Sequence, residues 1–165
     1  RREVMLDTLV NPGRPIPPGI SGITGITDAM VRGAPTFADI AHEPLRVLAG
    51  RVFVAHNARF DWSFLDASLQ RTRGLGLGGP NLCTVRLARR LLPGVGSCGL
   101  DNLTHVLALE NIARHRAAGD ADVTARLLER LLGLARGEGA RTLDDLERIQ
   151  RRKKGAAPES GAPGA

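Results

Sequence analysis

The chain has 165 residues, of which 42% are apolar and 24% charged, and its formal net charge is +6. This size and balance predict one soluble globular domain and exclude a disordered or fibrous chain. No apolar run approaches the roughly 20 residues that cross a bilayer, and Arg1-Arg2-Glu3 has no apolar stretch behind it as a signal peptide would, so we expect a cytoplasmic protein without a membrane partner.

The cysteines and the basic charge limit the chemistry further. Cys83 and Cys98 lack the paired spacing of a zinc site, so both are expected to be free thiols. A basic surface attracts phosphate through counterion release, which favours a nucleic-acid partner. That signal is weak alone, because Arg151-Arg152-Lys153-Lys154 supplies four of the positive charges.

The first third of the chain predicts one strand and two helices. Residues 3–10 favour a strand that stops at the turn sequence Asn11-Pro12-Gly13. Residues 14–25 are rich in Pro and Gly and predict a loop without regular structure. Thr27 or Asp28 should cap a short helix at 29–32, and Thr36 a longer one that ends at Gly50.

The rest of the chain predicts two more strands and several helices. Residues 51–55 form a short apolar run typical of a buried strand, and they lead directly into a helix at 58–71. A glycine-rich loop at 74–79 precedes a brief strand at 81–84. Further helices are expected at 85–92, 100–109 and 120–134. This alternation predicts a layered α/β domain over residues 1–136.

The end of the chain is expected to be a basic tail rich in Ala, Gly and Pro over residues 137–165. One helical turn is expected near residues 142–146. Beyond residue 151 the composition cannot bury enough apolar surface to stay ordered, so we predict a largely disordered tail.

Two clusters join a histidine to a carboxylate near an element boundary. In the first, His56 and Asn57 end a strand, and Asp61 follows in the first turn of a helix. In the second, His115 precedes Asp120 at the start of the last long helix, where the acid could hold a metal while the imidazole takes a proton. Each acid could equally be an ordinary helix-start charge stabilised by the macrodipole.

The order of the segments carries a family resemblance that covers Thr8 to about Leu134. The segments that carry it are Thr8 to Gly13, Pro15-Ile16-Pro17, Ile23 to Thr27, Ala34 to Phe37, Val54 to Asp61, Cys83-Thr84, Leu100 to Leu103 and His115 to Ala121. In this order they closely resemble DEDDh-type 3′→5′ exonucleases, which include the epsilon proofreading subunit of bacterial DNA polymerase III. The resemblance implies a ribonuclease H-like mixed sheet flanked by helices.

The resemblance also implies roles for the two clusters. Asp61 and Asp120 match family acids that hold two divalent cations, Mg²⁺ or Mn²⁺, on the scissile phosphate. His115 matches the histidine that accepts a proton from the attacking water. Carboxylate oxygens are hard ligands that suit hard cations, which agrees with these residue types.

Other positions receive weaker assignments. Ile23, Thr24 and Gly25 resemble the family loop beside the 3′-terminal nucleotide, although Gly25 could serve only a turn. His56 and Asn57 either contact substrate or cap the next helix. We expect Phe60 in the core rather than on a base-stacking surface, and His42 and His105 as ordinary helix residues.

One family feature is absent. Members begin with a strand that carries an Asp-x-Glu motif and supplies half of the metal ligands, and this sequence has no such strand. We therefore expect a truncated sequence whose first two strands are missing from the middle of the sheet, between residues 3–10 and 51–55. Such a chain should be inactive as it stands.

The expected function is a 3′→5′ exonuclease acting on DNA 3′ ends, preferably single-stranded. It would be of the proofreading-subunit type, with a DNA polymerase subunit as partner, or a stand-alone relative in replication or repair. The alternatives are an RNA-directed exonuclease of this type and a non-catalytic nucleic-acid-binding or polymerase-scaffolding module.

Overall fold

The computed structural model describes residues 2–109 and 117–152. Within these ranges the chain forms nine helices and two short strands. In chain order they are α1 (Pro18–Thr24), α2 (Asp28–Val31), α3 (Phe37–Ile40), α4 (His42–Leu48), β1 (Phe53–Ala55), α5 (Ala58–Arg73), β2 (Asn81–Cys83), α6 (Thr84–Leu91), α7 (Leu100–Val106), α8 (Ala117–Gly137) and α9 (Leu143–Arg151).

The sheet of the described residues consists of β1 and β2, which pair in parallel with Val54 opposite Leu82. The connection between them is α5, as parallel strands require a crossover. Helices flank this pair, so the predicted α/β class is confirmed. A helix follows each strand closely, which places the residues after β1 and β2 at one edge of the sheet.

The strand predicted at residues 3–10 is wrong. Apart from an isolated bridge between Asn11 and Thr36, this segment has no paired neighbour among the described residues. Val4 is 72% exposed, and residues 2–8 as a whole are exposed. A strand needs a hydrogen-bonded partner strand, and no described strand pairs with this segment.

The loop predicted at residues 14–25 is also partly wrong, because α1 occupies its second half. The prolines that suggested a loop are compatible with a helix start, where the missing N–H group costs nothing. Gly25 ends the helix in the left-handed conformation at φ 68°, and its N–H donates to the carbonyl oxygen of Ser21.

The predicted helix starts at Thr27 and Thr36 are confirmed. The Thr27 hydroxyl accepts from the backbone N–H of Met30, and Thr36 forms a capping box with Asp39. The longer helix predicted after Thr36 is divided into α3 and α4. Pro44 lies in the first turn of α4, where proline is tolerated.

The main core lies between α6, α7, α8 and α9. Its fully buried large side chains include Leu87, Leu103, Leu127 and Leu131. Ile149 of α9 is only 2% exposed and belongs to the same cluster. The single turn predicted near 142–146 is therefore too short, and the domain boundary predicted at residue 136 does not separate α9 from the core.

Helix α9 also covers the outer edge of β2 through Gln150. The backbone N–H of Cys83 donates to Gln150 Oε1, and Gln150 Nε2 donates to the carbonyl oxygen of Asn81, both at 3.0 Å. The side-chain amide thus makes two hydrogen bonds that a neighbouring strand would otherwise make. These bonds occupy backbone groups at the edge of β2 that could otherwise pair with another chain.

Candidate active site

Asp61 lies in the first turn of α5, shortly after β1. The turn between the two elements is made by Asn57, which adopts the left-handed conformation at φ 69° that asparagine tolerates better than most residues. The Asp61 side chain is exposed and has no ion-pair partner among the described residues. The surrounding protein nevertheless removes part of its hydration, which raises the pKa of the carboxyl, although its own backbone N–H opposes the shift.

Asp120 lies in the first turn of α8 and is half-buried. Like Asp61, it has no ion-pair partner within the part of the chain that the structure describes. Asp122 differs, because it contacts Arg2 at 3.0 Å and Arg126 at 2.8 Å. Among the described residues, Asp120 therefore has no ion-pair partner, whereas Asp122 has two.

The helices that carry both acids line one apolar groove of about 760 Å³. Leu65, one turn after Asp61 on α5, lines one wall, and Ala118 and Ala121, on either side of Asp120 in sequence, line another. The segment at residues 2–8 forms a further wall, with Val4, Met5 and Leu6 exposing apolar surface. The helices that carry the two acids thus border the same groove, although neither Asp61 nor Asp120 is among its lining residues.

The donor chemistry of this site suits a divalent cation, but the ligand set is incomplete. Two unpaired carboxylates offer hard oxygen ligands. In residues 2–109 and 117–152, however, no group of three or more His, Cys, Asp or Glu side chains is arranged to hold a metal. The Asp-x-Glu tripeptide that the sequence does contain, Asp145 to Glu147, lies in α9, where Arg148 and Arg151 pair with the two acids. Those acids are not available as ligands.

His115, the predicted proton acceptor, lies outside the described residues. Its assignment therefore stays a prediction from the resemblance. Asp120, the acid predicted to act with it, lies on the first turn of the helix that begins at Ala117.

His56 makes a contact that the sequence did not predict. Its ring Nδ1 lies 2.9 Å from the hydroxyl of Thr84, a fully buried residue at the start of α6. Burial lowers the pKa of the imidazole, and a hydrogen bond to the backbone of Cys98 partly opposes this shift. His56 therefore ties the end of β1 to α6.

Asn57 and residues 23–25 were predicted as possible substrate contacts, and the structure shows how each is placed. Asn57 occupies the N-cap position of α5, but its side chain makes no capping hydrogen bond and stays exposed. The Thr24 hydroxyl is engaged within the chain, since it donates to the carbonyl oxygen of Ile20 and accepts from the N–H of Ile26. Gly25 forms the turn already described, and Ile23 exposes 62% of its surface.

The core position expected for Phe60 is wrong. Phe60 is 59% exposed and Phe64 is 62% exposed, and their rings lie 4.8 Å apart on the surface of α5. The helical spacing of Phe60, Phe64 and Leu69 suggested one buried face, but among these three only Leu69 is buried. Phe60 precedes Asp61, so an exposed aromatic pair lies beside the candidate acid.

Comparison with known proteins shows the family of this chain. The exonuclease family RNase_T matches residues 2–128. The chain belongs to the DEDD exonuclease family of the epsilon type. The DNA polymerase III subunit epsilon of Aquifex aeolicus is 35% identical over 125 residues, which cover 76% of this chain and 62% of that protein. A DNA polymerase III subunit epsilon-like protein of Rhodobacter capsulatus is 40% identical over 140 residues, or 84% of this chain and 20% of that protein.

A solved structure extends the likeness to the fold. Exonuclease X, solved in complex with 5′ overhanging duplex DNA, superposes with a TM-score of 0.64 and 31% identity, covering 86% of this chain and 78% of that chain. The ribonuclease H-like fold predicted from the resemblance is confirmed. The chain spans about three fifths of the Aquifex aeolicus protein and about a fifth of the Rhodobacter capsulatus protein. In the described part of this family member, no helix is long and apolar enough to span a membrane.

Proposed function

We propose that the chain belongs to a 3′→5′ exonuclease domain that hydrolyses phosphodiester bonds at DNA 3′ ends with two divalent cations. The observation that carries the proposal is the pair of unpaired carboxylates, Asp61 and Asp120, on the first turns of two helices that line one groove. Most other acids of the described residues are held by arginines or by hydrogen bonds to the backbone. An unpaired acid at a helix start is free to bind a cation.

The proposed roles divide between metal binding and proton transfer. Asp61 and Asp120 would each contribute carboxylate oxygens to the cation site, with Mg²⁺ or Mn²⁺ as the metal. When bound, such cations stabilise the charge that develops on the attacking and leaving oxygens. His115 would accept the proton of the attacking water, for which an imidazole is suited near neutral pH.

DNA is the preferred substrate in this proposal. The relatives of Aquifex aeolicus and Rhodobacter capsulatus are named for DNA polymerase III, and exonuclease X was solved with DNA. The exposed rings of Phe60 and Phe64 beside Asp61 offer an apolar surface for a terminal base, since base–aromatic stacking needs no particular sequence. A DNA polymerase subunit is the corresponding partner.

The 165 residues are proposed to be inactive by themselves, because two carboxylates are too few to fix two dications. The apolar groove between residues 2–8, α5 and α8 provides space where further strands could pack and bring the missing acids close to Asp61 and Asp120. Residues 2–8 would then gain the hydrogen-bonded neighbour that they lack.

The experiment uses the domain joined to a family strand pair that carries Asp-x-Glu. Matched single-stranded DNA and RNA oligonucleotides with a 5′ label are incubated with Mg²⁺ or Mn²⁺, and product length is followed. Stepwise shortening of the DNA from the 3′ end, lost in Asp61→Asn, supports the proposal. Faster degradation of the RNA would favour the RNA-directed alternative, and metal-dependent cleavage that persists in Asp61→Asn would refute the assignment of that acid.

A further inference from the structure

A second cavity, of about 560 Å³, lies where the start of α5 meets β2 and α6. Three arginines from two helices line it, Arg59 from α5 with Arg86 and Arg89 from α6. Asn57, Ser63 and Asn81 add polar side chains, and no acidic residue lines it. No spacing in the sequence indicates this cluster, because its arginines come from segments that are distant in the chain.

The three arginines differ from the six arginines that pair with acids in the described residues. Arg46, Arg126 and Arg148 each contact an acid within 2.8 Å, and Arg2, Arg151 and Arg152 also pair with acids. Within residues 2–109 and 117–152, Arg59, Arg86 and Arg89 have no such partner. Like charges gathered without a counter-charge repel one another, so an anion in the cavity would lower the electrostatic energy.

The cavity is separate from the candidate active site. Arg59 and Asp61 are two residues apart on α5, which places them on nearly opposite sides of the helix at 3.6 residues per turn. Asn57 at the helix start borders the cavity. A polyanion that enters the site at Asp61 would therefore have to pass around the start of α5 to reach the arginines.

We propose that this cavity binds backbone phosphate of the nucleic-acid strand whose 3′ end is held at Asp61 and Asp120. This inference rests on the proposed function for the nature of the substrate. The planar guanidinium fork matches phosphate oxygens, and Asn57, Asn81 and Ser63 can donate further hydrogen bonds. Trp62, which also lines the cavity and packs edge-on against Phe53 at 5.4 Å, offers an aromatic ring for a base.

The span between the two sites sets a minimum strand length. A helix with its side chains is about 10–12 Å wide, and successive phosphates rise about 3.4 Å along a strand, so the phosphates that the three arginines contact begin on the order of two to four nucleotides from the 3′ end. A dinucleotide should therefore be too short to use the cavity, whereas a 12-mer should reach it.

The test measures affinity of the chain for a fluorescent single-stranded 12-mer in EDTA over a range of salt concentrations. The variant R59Q/R86Q/R89Q should bind at least about tenfold more weakly, and the slope of log K against log salt should fall by about two, since each single-strand phosphate contact contributes about 0.7. The control R71Q/R130Q/R136Q removes three exposed arginines outside this cavity and should change the slope much less. R59K/R86K/R89K keeps the charges and should retain most of the slope.

Equal losses in the cavity variant and the control would overturn the inference, because they would show only general charge attraction. An unchanged DNA slope with lost binding of polyglutamate would also overturn it and assign the cavity to an acidic peptide. Circular dichroism checks folding. If the triple variant unfolds, the single variants R86Q and R89Q, which change exposed residues, are measured instead. Each should reduce the slope by about 0.7. Because no metal is present, the result is independent of whether the domain cleaves DNA.

Discussion

The imidazole Nδ1 of His56 lies 2.9 Å from the hydroxyl oxygen of Thr84 and joins the end of β1 to the start of α6. Since β1 leads through Asn57 into the helix that carries Asp61, this contact holds the backbone just before the candidate acid. A substrate contact by His56 would have to use the rest of the ring. The position is therefore better explained as a support of the site.

The lowered pKa of His56 predicts a stability change with pH. Because the folded state disfavours the charged ring, the unfolded state takes up a proton first as pH falls through about 6.5, and stability that is present above that pH is lost below it. His56→Asn, which retains a polar group near the Nδ1 position, should flatten the change in melting temperature between about pH 7.5 and 5.5. His105→Asn, at an exposed histidine on α7, is the control for loss of a histidine. An equally steep profile in His56→Asn would contradict the prediction.

The raised pKa of Asp61 predicts that its contribution to stability falls as pH rises, whereas the contribution of His56 falls as pH decreases. A carboxyl whose folded pKa lies above its unfolded value contributes stability at low pH that is lost as pH rises through the folded pKa. Asp61→Asn should therefore raise the melting temperature near pH 7 and change it little near pH 3. Asp66→Asn is the control. Asp66 accepts a hydrogen bond from the N–H of Leu77 at 2.7 Å, so this variant should have a lower melting temperature instead. A lower melting temperature for Asp61→Asn near pH 7 would show that the acid is structural.

The bridge from Gln150 to β2 predicts a large stability loss on truncation. Gln150→Ala leaves the backbone N–H of Cys83 and the carbonyl of Asn81 without this partner at a buried position, which should cost about 2–4 kcal/mol. Gln70→Ala removes an exposed glutamine of α5 and should cost about 0.5 kcal/mol or less. Urea denaturation of both variants measures the difference. Similar losses would mean that α9 contributes through its apolar face alone.

Substitutions of Asp120 and His115 should have different effects on metal binding and on the chemical step in the domain joined to the strand pair. Asp120→Asn removes a charged ligand, so it should weaken metal binding and nearly abolish cleavage, whereas His115→Ala should keep metal binding and slow the chemical step by about 10²- to 10⁴-fold. Isothermal titration with Mn²⁺ and single-turnover kinetics separate the two effects. Higher pH should partly rescue His115→Ala, since hydroxide needs no base. Equal loss of metal affinity in both variants would show that the division of roles is incorrect.

Local signals predicted part of this fold, and tertiary contacts decided the rest. The caps at Thr27 and Thr36 and the helix start before Asp61 depend on neighbouring residues, so they could be predicted from the sequence. Residues 3–10 have a strand composition, but pairing depends on a neighbour elsewhere in the molecule. Helix α9 is ordered through Ile149 and Gln150, whose partners lie far away in the chain.

The candidate site, like the fold, could be predicted from the sequence only in part. Asp61 and Asp120 are candidates because the order of motifs resembles a family; the structure places both in first helical turns, and their role as metal ligands stays a prediction. The exposure of Phe60 was not foreseen, since helical spacing shows which residues share a face but not which face is covered. The contact between His56 and Thr84 joins residues 28 positions apart, and no spacing in the sequence indicates it.

The most direct test of the central claim compares three proteins for metal-dependent release of mononucleotides from DNA 3′ ends. These are the 165-residue chain, the chain joined to a strand pair of roughly 20 to 30 residues with Asp-x-Glu, and the same fusion with those acids changed to Asn and Gln. A thermal melt of each protein reports folding separately. We expect cooperative melting in both fusions but mononucleotide release only from the one with the acids. Robust exonuclease activity from the 165-residue chain, after contaminating nuclease is excluded, would contradict the claim that Asp61 and Asp120 are half of the metal site.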